Sequence, residues 1–95
     1  MLTLLDCIEM SGLDPREIDA IAEHERIPFI VALEKGATFL YEPWGPPAIR
    51  QMVLDDLRKA AEAGRTGHVT VLQETFECAC RLHPGGIDRR HDARV

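Results

Sequence analysis

Three polar side chains stand where the helical repeat calls for apolar ones. At about 100° per residue, Glu25 shares a helix face with Ile18, Ile21 and Ala22. Asp56 falls among Ile49, Met52, Val53 and Ala60, and His83 falls with Leu72, Phe76 and Ala79. A buried carboxylate must be paired, hydrogen-bonded, protonated or bound to a metal, because an unpaired charge in an apolar setting is too costly. If the three converge from separate helices, they offer a hard oxygen and nitrogen ligand set suited to a divalent metal ion. His24 or Cys80 could complete it.

Each of the three also has a structural reading. Glu25 precedes a helix whose apparent N-cap, Ile27, has no side-chain acceptor. A carboxylate there can accept from the free N–H groups, aided by the positive helix end. Asp56 can cap a neighbouring helix, pair with Arg26 or Arg50, or face a subunit interface. His83 lies at a helix C-terminus, where the dipole stabilises a histidinium. In the run "EHE", Glu23 is expected to face solvent and His24 to lie toward one flank.

The cysteines support no stronger chemistry. Cys80 and His83 are three positions apart and share a helix face, as two zinc ligands would. Cys78 and Cys80 lie roughly 160° apart on a regular helix and cannot converge on one ion. The sequence contains no CxxC, HExxH or ExxH pair, no phosphate-binding glycine loop and no nucleophile elbow. No nucleophile, base and oxyanion donor can be assigned together, so an enzyme is the less favoured reading.

Five helical segments would have to position these residues. The first spans about Leu2 to Met10 and stops at Gly12, a natural left-handed cap. The second opens on "DPRE", with Asp14 as N-cap, Pro15 at the first turn and Glu17 closing a capping box. The third, Pro28 to Tyr41, is apolar around most of its circumference and is expected to be the central, most buried helix. Gly36 on its apolar face suggests another backbone packed close by. "EPWGPP" is a rigid connector carrying Trp44, which is expected to fold onto the bundle or, if exposed, to anchor a partner. The fourth helix begins at Pro46 or Pro47 and ends at Gly64. A fifth runs from about His68 to His83, where "PGG" stops it. The short turn between the last two implies an antiparallel hairpin.

The expected fold class is therefore all-α, a small irregular bundle of about five helices. Residues 1–83 would form one helical domain and residues 84–95 a flexible, disordered C-terminal tail. The 95 residues are 45 % hydrophobic and 28 % charged, as in ordinary soluble chains. The formal charge of −5 is uneven. Residues 1–64 carry twelve acids against six bases, and residues 65–95 four acids against five bases. An acidic body is unsuited to nucleic acid. No apolar run reaches the roughly 20 residues of a membrane span, and the amino terminus lacks a basic signal-peptide region. The third helix is too apolar for a chain of this size to cover alone, which points to a homodimer or a protein partner. The expected function is that of a small, non-enzymatic, cytoplasmic protein of bacterial type acting through protein–protein contacts. The alternative is a metal- or small-ligand-binding protein using Glu25, Asp56 and His83.

Overall fold

A computed structural model describes residues 2–87, which form five helices and no strand. They are α1 (Leu4–Ser11), α2 (Pro15–Glu25), α3 (Phe29–Phe39), α4 (Gly45–Glu62) and α5 (Thr66–Leu82). Local chemistry sets most of the boundaries. Thr3 and Asp6 form a capping box at α1, each side chain accepting the other's backbone N–H at 3.1 Å. Asp14 and Glu17 form another at α2, where Asp14 accepts from the Arg16 N–H and Glu17 from the Asp14 N–H, both at 2.9 Å. Gly12 and Gly64 end α1 and α4 in the left-handed region, at φ 80° and 72°.

The centre of the molecule is α2 and α4. Ile18 and Ile21 of α2 meet Ala32 and Leu33 of α3, Ile49 and Met52 of α4, and Leu13 from the α1–α2 link. On the other side of the same two helices, Ala20, Val53 and Ala60 pack on Leu72 of α5. The chain starts α4 beside the end of α5, because Arg50 donates to the His83 carbonyl and, at 2.8 Å, to the Gly85 carbonyl. Residues 63–65 join the two helices at the opposite end, so they run as an antiparallel hairpin.

The third helix is not the central one. Only Ala32, Leu33 and Gly36 of α3 are buried, and Ile30 and Val31 face outward. The reason is a shortage of cover. The one element lying over this side is α1, a two-turn helix with no buried residue of its own. The close neighbours of Gly36 are also side chains and not a backbone. A Cβ there would stand 2.7 Å from Leu13 Cδ1 and 2.8 Å from Ile21 Cδ1. Gly36→Ala would gain about 1 kcal/mol of helix propensity and lose roughly 1–3 kcal/mol to overpacking. We expect a small net destabilisation, read as a lower denaturation midpoint in urea.

The expected flexible tail falls mainly on residues 88–95, which lie outside the described residues. Before them the chain is seated against the connector. Ile87 N–H donates to the Pro43 carbonyl at 2.8 Å, and a Cβ on Gly86 would meet Pro43 O and Pro47 Cδ at 2.6 Å.

Candidate functional site

The structure separates Glu25, Asp56 and His83. Among the described residues no three His, Cys, Asp or Glu side chains are placed to hold a metal ion. Each of the three has its own surroundings, and those surroundings decide what it can do.

Glu25 is partly exposed and accepts from Lys35 Nζ at 2.7 Å. That hydrogen bond holds its carboxyl below the usual carboxylate range. It does not cap α3, whose N-cap is Pro28 with no side-chain cap bond. His83 ends α5 as its C-cap, but its ring turns inward. Its Nε2 lies 3.2 Å from Glu17 Oε1, with the His83 side chain 11 % exposed and the Glu17 side chain wholly buried. Burial pushes the Glu17 carboxyl up, against the pull of the Asp14 N–H and of His83. Glu17 thus serves twice, in the capping box and as the partner of His83. Its place on the helical wheel, between Ala20 and Ile21, marked it as inward-facing.

The remaining candidates fall into ordinary surroundings. His24 Nε2 lies 3.2 Å from Asp55 Oδ2, and Gln51 donates to Asp55 Oδ1 at 2.8 Å. Burial raises the Asp55 carboxyl, but these two partners outweigh it and leave it below its ordinary value. Cys78 is buried, Cys80 exposed and Cys7 partly buried, all as free thiols. Burial, with Asp14 and Glu17 nearby, pushes the Cys78 thiol up, so it is a poor nucleophile. Cys80 has no hold on His83, which faces Glu17. Trp44 folds edge-on onto Phe39, with ring centroids 4.9 Å apart and planes at 65°.

Asp56 is the exception. It is 2 % exposed, and both carboxylate oxygens are buried without a hydrogen-bond partner. Burial raises its pKa to about 7, with Glu23 adding to the rise, and His24 and Lys59 opposing it. The residue lines a cleft of about 280 Å³ between the end of α2, the end of α4 and the start of α5. Glu23 is exposed, as expected, at the edge of this cleft, where it meets His68 Nε2 at 2.9 and 3.0 Å. Arg26, Lys59 and Arg65 bring three cationic side chains to the same cleft. None of the three forms an ion pair among the described residues. The sequence could single out Asp56 from helical periodicity. The basic residues around it come from two helix ends and a loop, where no periodicity applies.

A second surface is apolar. Leu2, Cys7, Met10, Ile30, Leu33 and Ala37 line a groove of about 340 Å³ between α1 and α3. Leu4 and Leu5 of α1 are also exposed.

Together these features define an all-α, five-helix protein with an acid-floored, basic-rimmed cleft on one side and an open apolar groove on another. No described helix is long and apolar enough to cross a membrane. No family model, curated protein or solved structure matches the chain.

Proposed function

We propose that the protein is a small cytoplasmic binding module of bacterial type, without catalytic activity, whose α1–α3 face mates with a second copy of the same chain. The observation that carries this reading is α1 itself. Of its apolar residues only Cys7 and Ile8 pack, partly buried, against the core, and Leu4, Leu5 and Met10 are left uncovered. Met10 and Ile30, 73 % and 55 % exposed, line one groove with Leu2, and Leu5 of α1 is 62 % exposed. A contiguous apolar surface of this kind marks an interaction site.

A second copy suits it because the face offers both halves of a contact. Leu4 and Leu5 project, and the neighbouring groove between α1 and α3 is apolar and open. A twofold interface requires such self-complementarity, each subunit giving the projection that the other receives. Glu34 at the groove edge would stay solvated at the rim. The three thiols make no disulfide in the described fold, which suits a reducing compartment.

Sedimentation velocity on the untagged chain tests the proposal. We expect a dimer at about micromolar concentration. Leu5→Glu and Ile30→Glu each place a charge in the contact and should weaken association by on the order of a hundredfold or more. A monomer persisting to roughly hundred-micromolar concentration would overturn it.

A further inference from the structure

The cleft around Asp56 lies apart from the apolar face, and its chemistry concerns a small molecule. Its floor and its rim carry opposite demands. At the floor, both Asp56 oxygens are buried and accept nothing. Native structures rarely leave a buried polar group unsatisfied, and such a group calls for an explanation. Glu23 lines the same cleft from α2, but it is exposed and paired with His68, which leaves Asp56 as the unpartnered acid there. At the rim stand Arg26, Lys59 and Arg65, two guanidinium groups and an ammonium. Two guanidinium groups suit a carboxylate or phosphate, each offering parallel N–H donors.

A metal ion suits this arrangement poorly, because the cleft offers one unpaired carboxylate and is lined by three cationic side chains. A simple anion satisfies the rim but leaves the floor without donors. A simple cation satisfies the floor but meets the basic rim. A molecule carrying both charges answers each demand at its own end.

We infer that this cleft binds a small zwitterion of the amino-acid type, its ammonium group donating to the two Asp56 oxygens and its anionic end held by Arg26 and Arg65. The volume of about 280 Å³ is at the small end for ligand sites and fits a molecule of this class. The Asp56 oxygens are covered, so binding requires side chains of the cleft to move aside.

The backbone of Arg26 adds a further sign. It is the only non-glycine among the described residues at positive φ, 57°, and it occupies the C-cap of α2. Glycine is the ordinary choice there. An arginine holds this position against its conformational preference and lines the cleft.

Proton linkage gives the proposal a sign. Asp56 faces Glu23 and His24 on α2, and Asp55 and Lys59 on its own helix; His68 of α5 lines the same cleft. The acids favour its protonated form, and His24 and Lys59 oppose them. An incoming ammonium stabilises the ionised carboxylate, so binding near neutral pH releases a proton. An anion held by the neutral acid would instead take a proton up.

Isothermal titration of the full chain with glycine, β-alanine and γ-aminobutyrate is the test, with butyrate and butylamine as single-charge controls. At neutral pH and low salt, we expect at least one zwitterion to bind about tenfold more tightly than either control. Its heat should vary with buffer ionisation enthalpy in the sense of proton release. Asp56→Asn should abolish the release and weaken binding by about tenfold or more. Arg26→Gly should weaken binding by a similar factor while raising the thermal midpoint, because glycine relieves the left-handed residue. That separates lost contact from lost fold. No heat from any zwitterion at about 10 mM would overturn the inference. Equal binding of butyrate, equal binding of butylamine, proton uptake, or full affinity in Arg26→Gly would do so as well.

Discussion

Asp56→Asn should make this protein more stable at pH 8.5 and leave its stability nearly unchanged at about pH 3. The expectation follows from what the folded state does to one carboxyl. Unfolded, Asp56 titrates near 3.8; folded, burial first and then the neighbouring Glu23 raise it to about 7. A group whose folded pKa is raised binds its proton more tightly in the native state. Its stabilising contribution is therefore complete below the unfolded value and is lost as pH climbs through the folded one. The window of loss runs from about pH 3.8 to about 7. Above it, the wild-type chain must hold an ionised carboxylate with no hydrogen-bond donor.

A tenfold change in proton affinity corresponds to about 1.4 kcal/mol, so the ionised side chain costs on the order of 2–4 kcal/mol relative to an unperturbed acid. Asparagine keeps the volume and never ionises. At about pH 3, below both values, it replaces an acid that is neutral folded and largely neutral unfolded by a neutral amide in the same unpartnered position, and little changes. At pH 8.5 it should recover about 2 kcal/mol or more. Urea denaturation of both proteins at the two pH values checks this. Equal wild-type and variant midpoints at pH 8.5 would show that Asp56 finds a donor when ionised.

The opposing carboxylates do not cancel this trend. Arg16 bonded to Asp14, and Lys35 bonded to Glu25, lower those two acids, which adds stability above their unfolded values and removes it on acidification. Both pairs are partly open to water, with exposed or half-exposed side chains, and such pairs contribute about 0–1 kcal/mol. The buried Asp56 outweighs them between weakly acidic and alkaline pH, and Glu17, also pushed up by burial, acts in the same direction.

The helical class was legible because its signals are local. The "DPRE" capping box, the glycine stops and the paired prolines each fix a boundary with chemistry contained in a few neighbouring residues. Asp56 was legible for a related reason, since a single helix supplies both the polar residue and the apolar neighbours that make it anomalous. Periodicity on one helix says nothing, however, about how much cover the others provide. The third helix reads as central because it is apolar nearly all round, yet burial depends on the length of what packs against it, and α1 contributes only two turns. Glu25 reads as inward by the same wheel, but α2 is ending there, and Arg26 in the left-handed region turns the chain away. The residue then reaches Lys35, ten positions on. Pairings such as His68 with Glu23, or His83 with Glu17, link residues 45 and 66 positions apart, and no local pattern announces them.

Glu17→Ala should be among the most damaging single substitutions on the polar side of the core, and Glu17→Gln a mild one. The alanine variant removes three things at once. The Asp14 N–H loses its capping-box acceptor, which costs about 0.5–2 kcal/mol at helix N-termini. His83, nearly buried, loses the carboxylate 3.2 Å from its Nε2; removing one partner of a buried ion pair costs roughly 3–5 kcal/mol. The fully buried side chain also leaves a void beside Ile18 and Ile21. Since burial pushes the Glu17 carboxyl up and so weakens its ionisation, the pair falls short of a fully charged one. We expect a total of about 3 kcal/mol. Glutamine keeps the size and the amide oxygen, so the capping bond survives. Its NH₂ can also donate to an unprotonated His83 nitrogen, and the loss should stay near roughly 1 kcal/mol. Chemical denaturation at neutral pH separates the two cases. If Glu17→Gln proved as damaging as Glu17→Ala, the carboxylate charge would be holding α2 to the end of α5, and the hydrogen-bond geometry would be secondary. A mild loss in both would mean that His83 and the Asp14 N–H find water once Glu17 is gone.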